Sequence, residues 1–312
     1  MTIQFILCSD GASHKFLGIT PYFGLKRLGI NCEYFWPTRR IGCVFEKPDY
    51  IFVLKPSKKD TRKIVETRSL AIKCLIISDQ RLSVEEEKNY DFFVTCSQSW
   101  QQEYSKRHAD KSCYLIKEEY DYCCKKEHID SENLNVVTMG YSNNLASHFI
   151  STISEIKKIT NAITVITGVN EKIFQDNEIN FVKFQPHSDY FTKEEWDKVA
   201  VSQFKNYDVG IITQYEKSGR PSTRGKAFLY AGLPIIAPNV IEYRDLWFNN
   251  SSLNIYLYND IKEIPVLLNH LKDAKLRNQI SQNNYIQIKK NYGAMASAKS
   301  FLKGIENYEK QY

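Results

Sequence analysis

At 312 residues, of which 43% are hydrophobic, the chain is long enough for one large or two ordinary domains and too apolar to be disordered. Its net charge of +6 suits an anionic substrate or a weak membrane-surface preference, and with Lys and Arg spread along the chain no nucleic-acid partner is expected. No apolar run approaches the ~20 residues of a membrane-spanning helix, and the opening MTIQFILCSDG reads as a strand and a turn rather than a secretory leader. The expected location is therefore cytoplasmic, with a peripheral contact at the inner face of the membrane left open.

In chain order, short apolar runs alternate with helical periodicity. The strands IQFILCS, CEYFW, YIFVLKP, IKCLIISD, FFVTCS and CYLIKE are separated by helical stretches at 14–29, 59–70 and 98–108. Continuous apolar runs between helices are the pattern of parallel strands buried on both faces. The polar stretch EYDYCCKKEHIDSEN then breaks the rhythm. After it come LNVVTMGYS, a helix near 145–159, AITVITGV, INFVKFQ, a helix near 192–205, DVGIIT, a helix at 222–231, LPIIAPN and LNIYLYN. The C-terminal part reads as helix over 260–290 and 293–310, broken at Gly293.

The pattern predicts an α/β protein of two Rossmann-like, doubly wound parallel-sheet domains with a cleft between them. Residues 1–125 form the first, 126–133 the linker and 134–312 the second, with the last helix expected to pack back on the first domain. The eight cysteines all lie at or before Cys124 and match no zinc spacing. Reduced thiols are expected, with Cys8, Cys74 and Cys96 in apolar strands.

In such sheets ligands sit beyond the carboxyl ends of the strands. After the first strand, SDGASHKFLG offers Gly11 for a tight turn and Asp10 or His14 as a general base; Asp10 and Ser13 could equally cap the next helix. After the first strand of the second domain, MGYSNNLASH places Gly140, Tyr141 and Ser142 beside a possible ligand phosphate. It lacks dinucleotide GxGxxG spacing and a following ribose acid. In FQPHSDYFTKEEW, Pro186, His187 and Tyr190 could wall a flat ring or be plain loop. The run SGRPSTRGKAFLYAGLPIIAPN concentrates helix-cap residues Ser222 and Thr223 with Arg220, Arg224 and Lys226 at one helix start. Cations there oppose the helix dipole, so an anion between them and the helix is expected. No HExxH, GxSxG or phosphate-loop motif is present.

The run RPSTRGKAFLYAGLPIIAPNVIEYRDL resembles the nucleotide-sugar site of GT-B glycosyltransferases, most closely bacterial polysaccharide-type enzymes of glycosyltransferase family 4. Arg220, Pro221, Ser222, Arg224, Gly232, Pro234, Tyr243 and Arg244 fall in register with that pattern. NYDVGIIT and VVTMGYSNN resemble the strands that precede it, so the likeness covers the second domain; in the first, only the architecture and the SDGASHKFLG loop share it. Retaining members commonly carry two glutamates where this chain has Gly219 and Ala227.

The resemblance implies a nucleotide-sugar donor held by Gly140, Tyr141, Ser142, His187, Arg220, Ser222, Thr223, Arg224 and Lys226. It implies a glycan or lipid-linked acceptor on the first domain, and surface-polysaccharide synthesis as the setting. Basic residues at the helix start would stabilise the leaving phosphate. Without an Asp-x-Asp pair in a suitable loop, no metal and no cofactor are expected. A CMP-sugar transferase and a non-catalytic sugar-nucleotide or glycan-binding subunit are the alternatives.

Overall fold

The structure, a computed structural model, describes residues 1–8, 13, 15–56, 70–78, 82–139, 147–167, 174–175, 179–184, 195–213, 222–248 and 253–311. The first sheet contains β1 (Thr2–Leu7), β2 (Asn31–Trp36), β3 (Ile41–Gly42), β4 (Tyr50–Leu54), β5 (Ile72–Ile77), β6 (Phe92–Thr95) and β7 (Cys113–Leu115). Their order is β3-β2-β1-β4-β5-β6-β7. All pairings are parallel except β2 with β3. Every residue of β4 is buried, as an apolar run covered by helices on both faces must be. A π-helical turn (Lys15–Ile19) leads into α1 (Thr20–Arg27), and α2 (Val84–Glu87) and α3 (Gln98–Arg107) follow later in this domain. Ser83 and Glu86 form a capping box on α2, and Ser97 caps α3.

The second sheet contains β8 (Val136–Met139), β9 (Ile163–Thr167), β10 (Asn180–Lys183), β11 (Val209–Ile211), β12 (Ile235–Pro238) and β13 (Ile255–Tyr258). It runs β10-β9-β8-β11-β12-β13, the doubly wound order, with its switch point between β8 and β11. The helices are α4 (Ser147–Lys157), α5 (Glu195–Ser202), α6 (Thr223–Tyr230), α7 (Ile241–Phe248), α8 (Ile264–His270), α9 (Ala274–Asn291) and α10 (Ala294–Glu309). The helix expected over 260–290 is interrupted: Asp273 caps α9 by accepting from the Lys275 and Leu276 amides, which ends the preceding segment. Gly293, at φ 90°, makes the break before α10, in a conformation that L side chains rarely adopt. None of the eight cysteines forms a disulfide; Cys8, Cys32, Cys74 and Cys113 are buried, while Cys43 is exposed beside β3.

α10 returns to the first domain. Phe301 packs edge-on against Phe5 at 5.6 Å and Phe52 at 5.2 Å, and Tyr308 stacks on Phe92 at 4.7 Å. The connection over 116–135 has no regular element, yet it is not a solvated tether. Glu118, Glu119, Tyr120 and His128 within it are buried. The Cys124 amide donates to the Tyr230 carbonyl at 2.9 Å. Arg277, fully buried, donates to the Ile129 carbonyl at 2.8 Å. A polar connection can be buried when its charges find partners in the second domain. One hydrophobic core accordingly runs through both domains, from Phe5 and Phe52 through Phe16 and Tyr120 to Trp196, Phe228 and Ile235.

Candidate active site between the two domains

Among the described residues, the segments that follow β6, β7 and β12 line one cleft, and α6 starts at its margin. Ser222 occupies the N-cap position of α6, but its hydroxyl makes no capping bond. Thr223 donates its hydroxyl to the Glu118 carboxylate on the connection. Lys226, only 7% exposed, donates to the Glu118 carbonyl at 2.6 Å and to Glu119 Oε1 at 3.0 Å. Tyr230 donates its phenol to the other oxygen of Glu119. Cations at this helix start were expected to require an anion, and for Lys226 the protein supplies it. The reason is positional: the connection carries two adjacent acids past the first turns of α6, where the dipole and Lys226 both favour negative charge.

Gly225 lets α7 approach. A Cβ there would lie 2.7 Å from the Tyr243 ring. Gly225 and Tyr243, the latter in register with the family pattern, are thus one packing contact. Burial pushes the Tyr243 phenol up, with the Arg224 guanidinium opposing. Ala227 is fully buried in the core that joins the domains, at one of the positions where retaining members carry glutamate.

Two further contacts join the domains. Glu242 of α7 accepts from Ser99 Oγ at 2.6 Å and Ser97 Oγ at 3.3 Å, both at the start of α3. Lys15 lies 2.9 Å from the Asp197 carboxylate of α5, each side chain 1% exposed. Burial pushes the Asp197 carboxyl above its ordinary range, Lys15 opposing. Lys15, from the SDGASHKFLG segment of the first domain, is thus committed to the second domain. Beside this network opens a cleft of about 430 Å³, lined in part by Cys96, Gln98, Lys117, Glu242, Tyr292 and Lys303. Burial pulls the Lys117 ammonium down, Glu119 opposing and Lys226 adding to the effect.

Of the residues singled out from sequence, Asp10, His14, Gly140, Tyr141, Ser142, His187 and Arg220 lie outside the described residues. Ser222, Thr223, Arg224 and Lys226 come together at the start of α6. Sequence reading missed Glu118, Glu119, Asp197 and Glu242. The one available signal was the acid pair in IKEEY, directly before the expected linker. Among the described residues no three His, Cys, Asp or Glu side chains are grouped so as to hold a metal ion. Nor is any helix among them long and apolar enough to cross a membrane.

No family model and no curated protein sequence matches the chain. Solved structures do match. HepE of Anabaena, crystallised with UDP and glucose, is similar over 98% of this chain and 100% of its own, at 13% identity and a TM-score of 0.63. Sucrose-phosphate synthase of Thermosynechococcus elongatus is similar over 100% of both chains, at 11% identity and a TM-score of 0.64. The glycosylation-associated Gap123 complex of Streptococcus agalactiae is similar over 86% of this chain and 55% of that one, at 14% identity and a TM-score of 0.54. With its two facing doubly wound sheets and returning C-terminal helix, the chain has the GT-B fold of glycosyltransferases.

Proposed function

We propose that the protein is a glycosyltransferase that moves a sugar from a nucleotide donor, held by the second domain, to a glycan or lipid-linked acceptor on the first. The observation that carries this is the GT-B architecture over the whole chain, with the basic start of α6 at the cleft margin. Similar structures hold UDP, which makes a UDP-sugar the first donor to try. With Lys226 and Thr223 committed to Glu119 and Glu118, donor phosphate contacts fall to Arg220, Arg224, Ser222 and the first amides of α6. Breaking the sugar–phosphate bond builds negative charge on the leaving phosphate, and fixed donors and guanidinium groups there stabilise it. If the reaction inverts, a first-domain base takes the acceptor proton; if it retains, the leaving phosphate can take it.

Thermal shifts with UDP, GDP, dTDP and CMP identify the nucleotide, and CMP alone would select the CMP-sugar alternative. Arg224→Ala is expected to weaken the cognate nucleotide by about 1.5–3 kcal/mol, roughly 10- to 150-fold in Kd. Unchanged affinity in both Arg224→Ala and Arg220→Ala overturns the site. Transfer is expected to persist in EDTA; loss that magnesium or manganese restores overturns metal independence. The reading as a non-catalytic subunit draws on Gly219 and Ala227 in place of the paired glutamates. Nucleotide binding with neither transfer nor donor hydrolysis selects it.

A further inference from the structure

The Lys15–Asp197 contact joins the two domains, with both side chains 1% exposed. The Lys15 ammonium also lies 5.6 Å from the Phe23 ring centroid and 5.8 Å from that of Trp196. Next to it Phe16 packs edge-on against Tyr120 at 4.8 Å and Trp196 at 5.8 Å, and Tyr120 stacks on Trp196 with an interplanar angle of 13°. Asp121 then binds Arg27 of α1 at 2.5 Å and accepts from the Ala294 amide at the start of α10 at 3.1 Å. Four elements therefore meet here: the π-helical turn with α1, the interdomain connection, α5 and α10.

Stability does not require charges at this place. Removing two ions from water is expensive, and well-packed apolar residues of similar volume are often as stable or more stable. What an ion pair adds to an aromatic cluster is register. Apolar surfaces tolerate sliding, whereas a buried ammonium and carboxylate that slide apart are each left uncompensated, which is strongly destabilising. The π-helical turn at Lys15–Ile19 points the same way, since such turns are rare and recur at functional sites.

We propose that Lys15 and Asp197 are a positioning pair: without touching substrate, they hold the first domain in one register against the donor-binding domain, and glycosyl transfer depends on that register. The proposal rests on the glycosyltransferase reading for its kinetic consequence. Transfer needs the reacting atoms about 3–3.5 Å apart, and a displacement near 1 Å can lower the rate about 10²-fold.

The test is the double variant Lys15→Met/Asp197→Leu, which replaces the pair by apolar groups. It is expected to fold with a Tm at or above wild type and to bind the cognate nucleotide with unchanged Kd. Its kcat should fall about 10- to 100-fold at unchanged donor KM. The reversed pair Lys15→Asp/Asp197→Lys should recover part of that loss. A structural readout stands beside activity: energy transfer between dyes carried on unnatural amino acids in α3 and α4 should report a broadened interdomain distance in the Met/Leu variant. Wild-type kcat in that variant, or an unchanged distance distribution, overturns the positioning role. Because the distance is measured whether or not the wild type transfers sugar, failure of this proposal is distinguishable from failure of the enzyme reading.

Discussion

Asp197→Ala alone is expected to lower unfolding stability by about 3–5 kcal/mol, the usual loss when one member of a buried ion pair is removed. Among the described residues, the carboxylate of Asp197 is the one ion-pair partner of the ammonium. Lys15 is 1% exposed, so water does not replace the carboxylate. The Phe23 and Trp196 ring centroids, each more than 5.5 Å from the ammonium, offset only part of the loss. Urea unfolding followed by circular dichroism reads the effect. Since one core runs through both domains, the midpoint of the whole transition should move rather than that of one domain. The apolar double variant should keep its midpoint, because no charge is stranded. A loss below about 1 kcal/mol in Asp197→Ala would mean that solvent reaches the pair and that it is an ordinary surface contact.

The second large effect concerns the acceptor proton. If the product is inverted, replacing the true base should lower kcat by about 10²–10⁴-fold and leave nucleotide affinity intact. Asp10 and His14 are the candidates. The described residues on either side are held in place: the Cys8 amide donates to the Leu54 carbonyl at 3.1 Å, and Lys15 pairs with Asp197. Steady-state kinetics of Asp10→Asn and His14→Ala, with anomeric configuration read by NMR, decides the point. An inverted product with near wild-type rates in both variants places the base elsewhere. A retained product should come with mild losses in both.

The parallel sheets were legible because their strands are continuous apolar runs, and burial on both faces leaves little else for such runs to be. The start of α10 was legible because glycine readily adopts the conformation that ends the preceding helix. Three elements were not anticipated. β3 is only two residues long and exists by pairing with β2. α2 is a single capped turn whose four residues carry little periodic signal. α7 follows β12 closely in IEYRDLWF, a segment read only as part of the donor pattern. The connection was read only as a break in rhythm; that Glu118 and Glu119 within it are buried against α6 could not be seen from its polar composition.

By itself the sequence determined the alternation of the main strands and helices, the division into two α/β units and the gathering of basic residues at the start of α6. These are local properties: periodicity, turn chemistry and capping residues act over a few positions of chain. Only the tertiary structure decided which charges are neutralised within the protein. Lys226 meets Glu119 from 107 residues away, and Lys15 meets Asp197 across the domain interface. No local pattern encodes such partners, because a buried charge is stable only beside whatever the packing of distant elements brings to it.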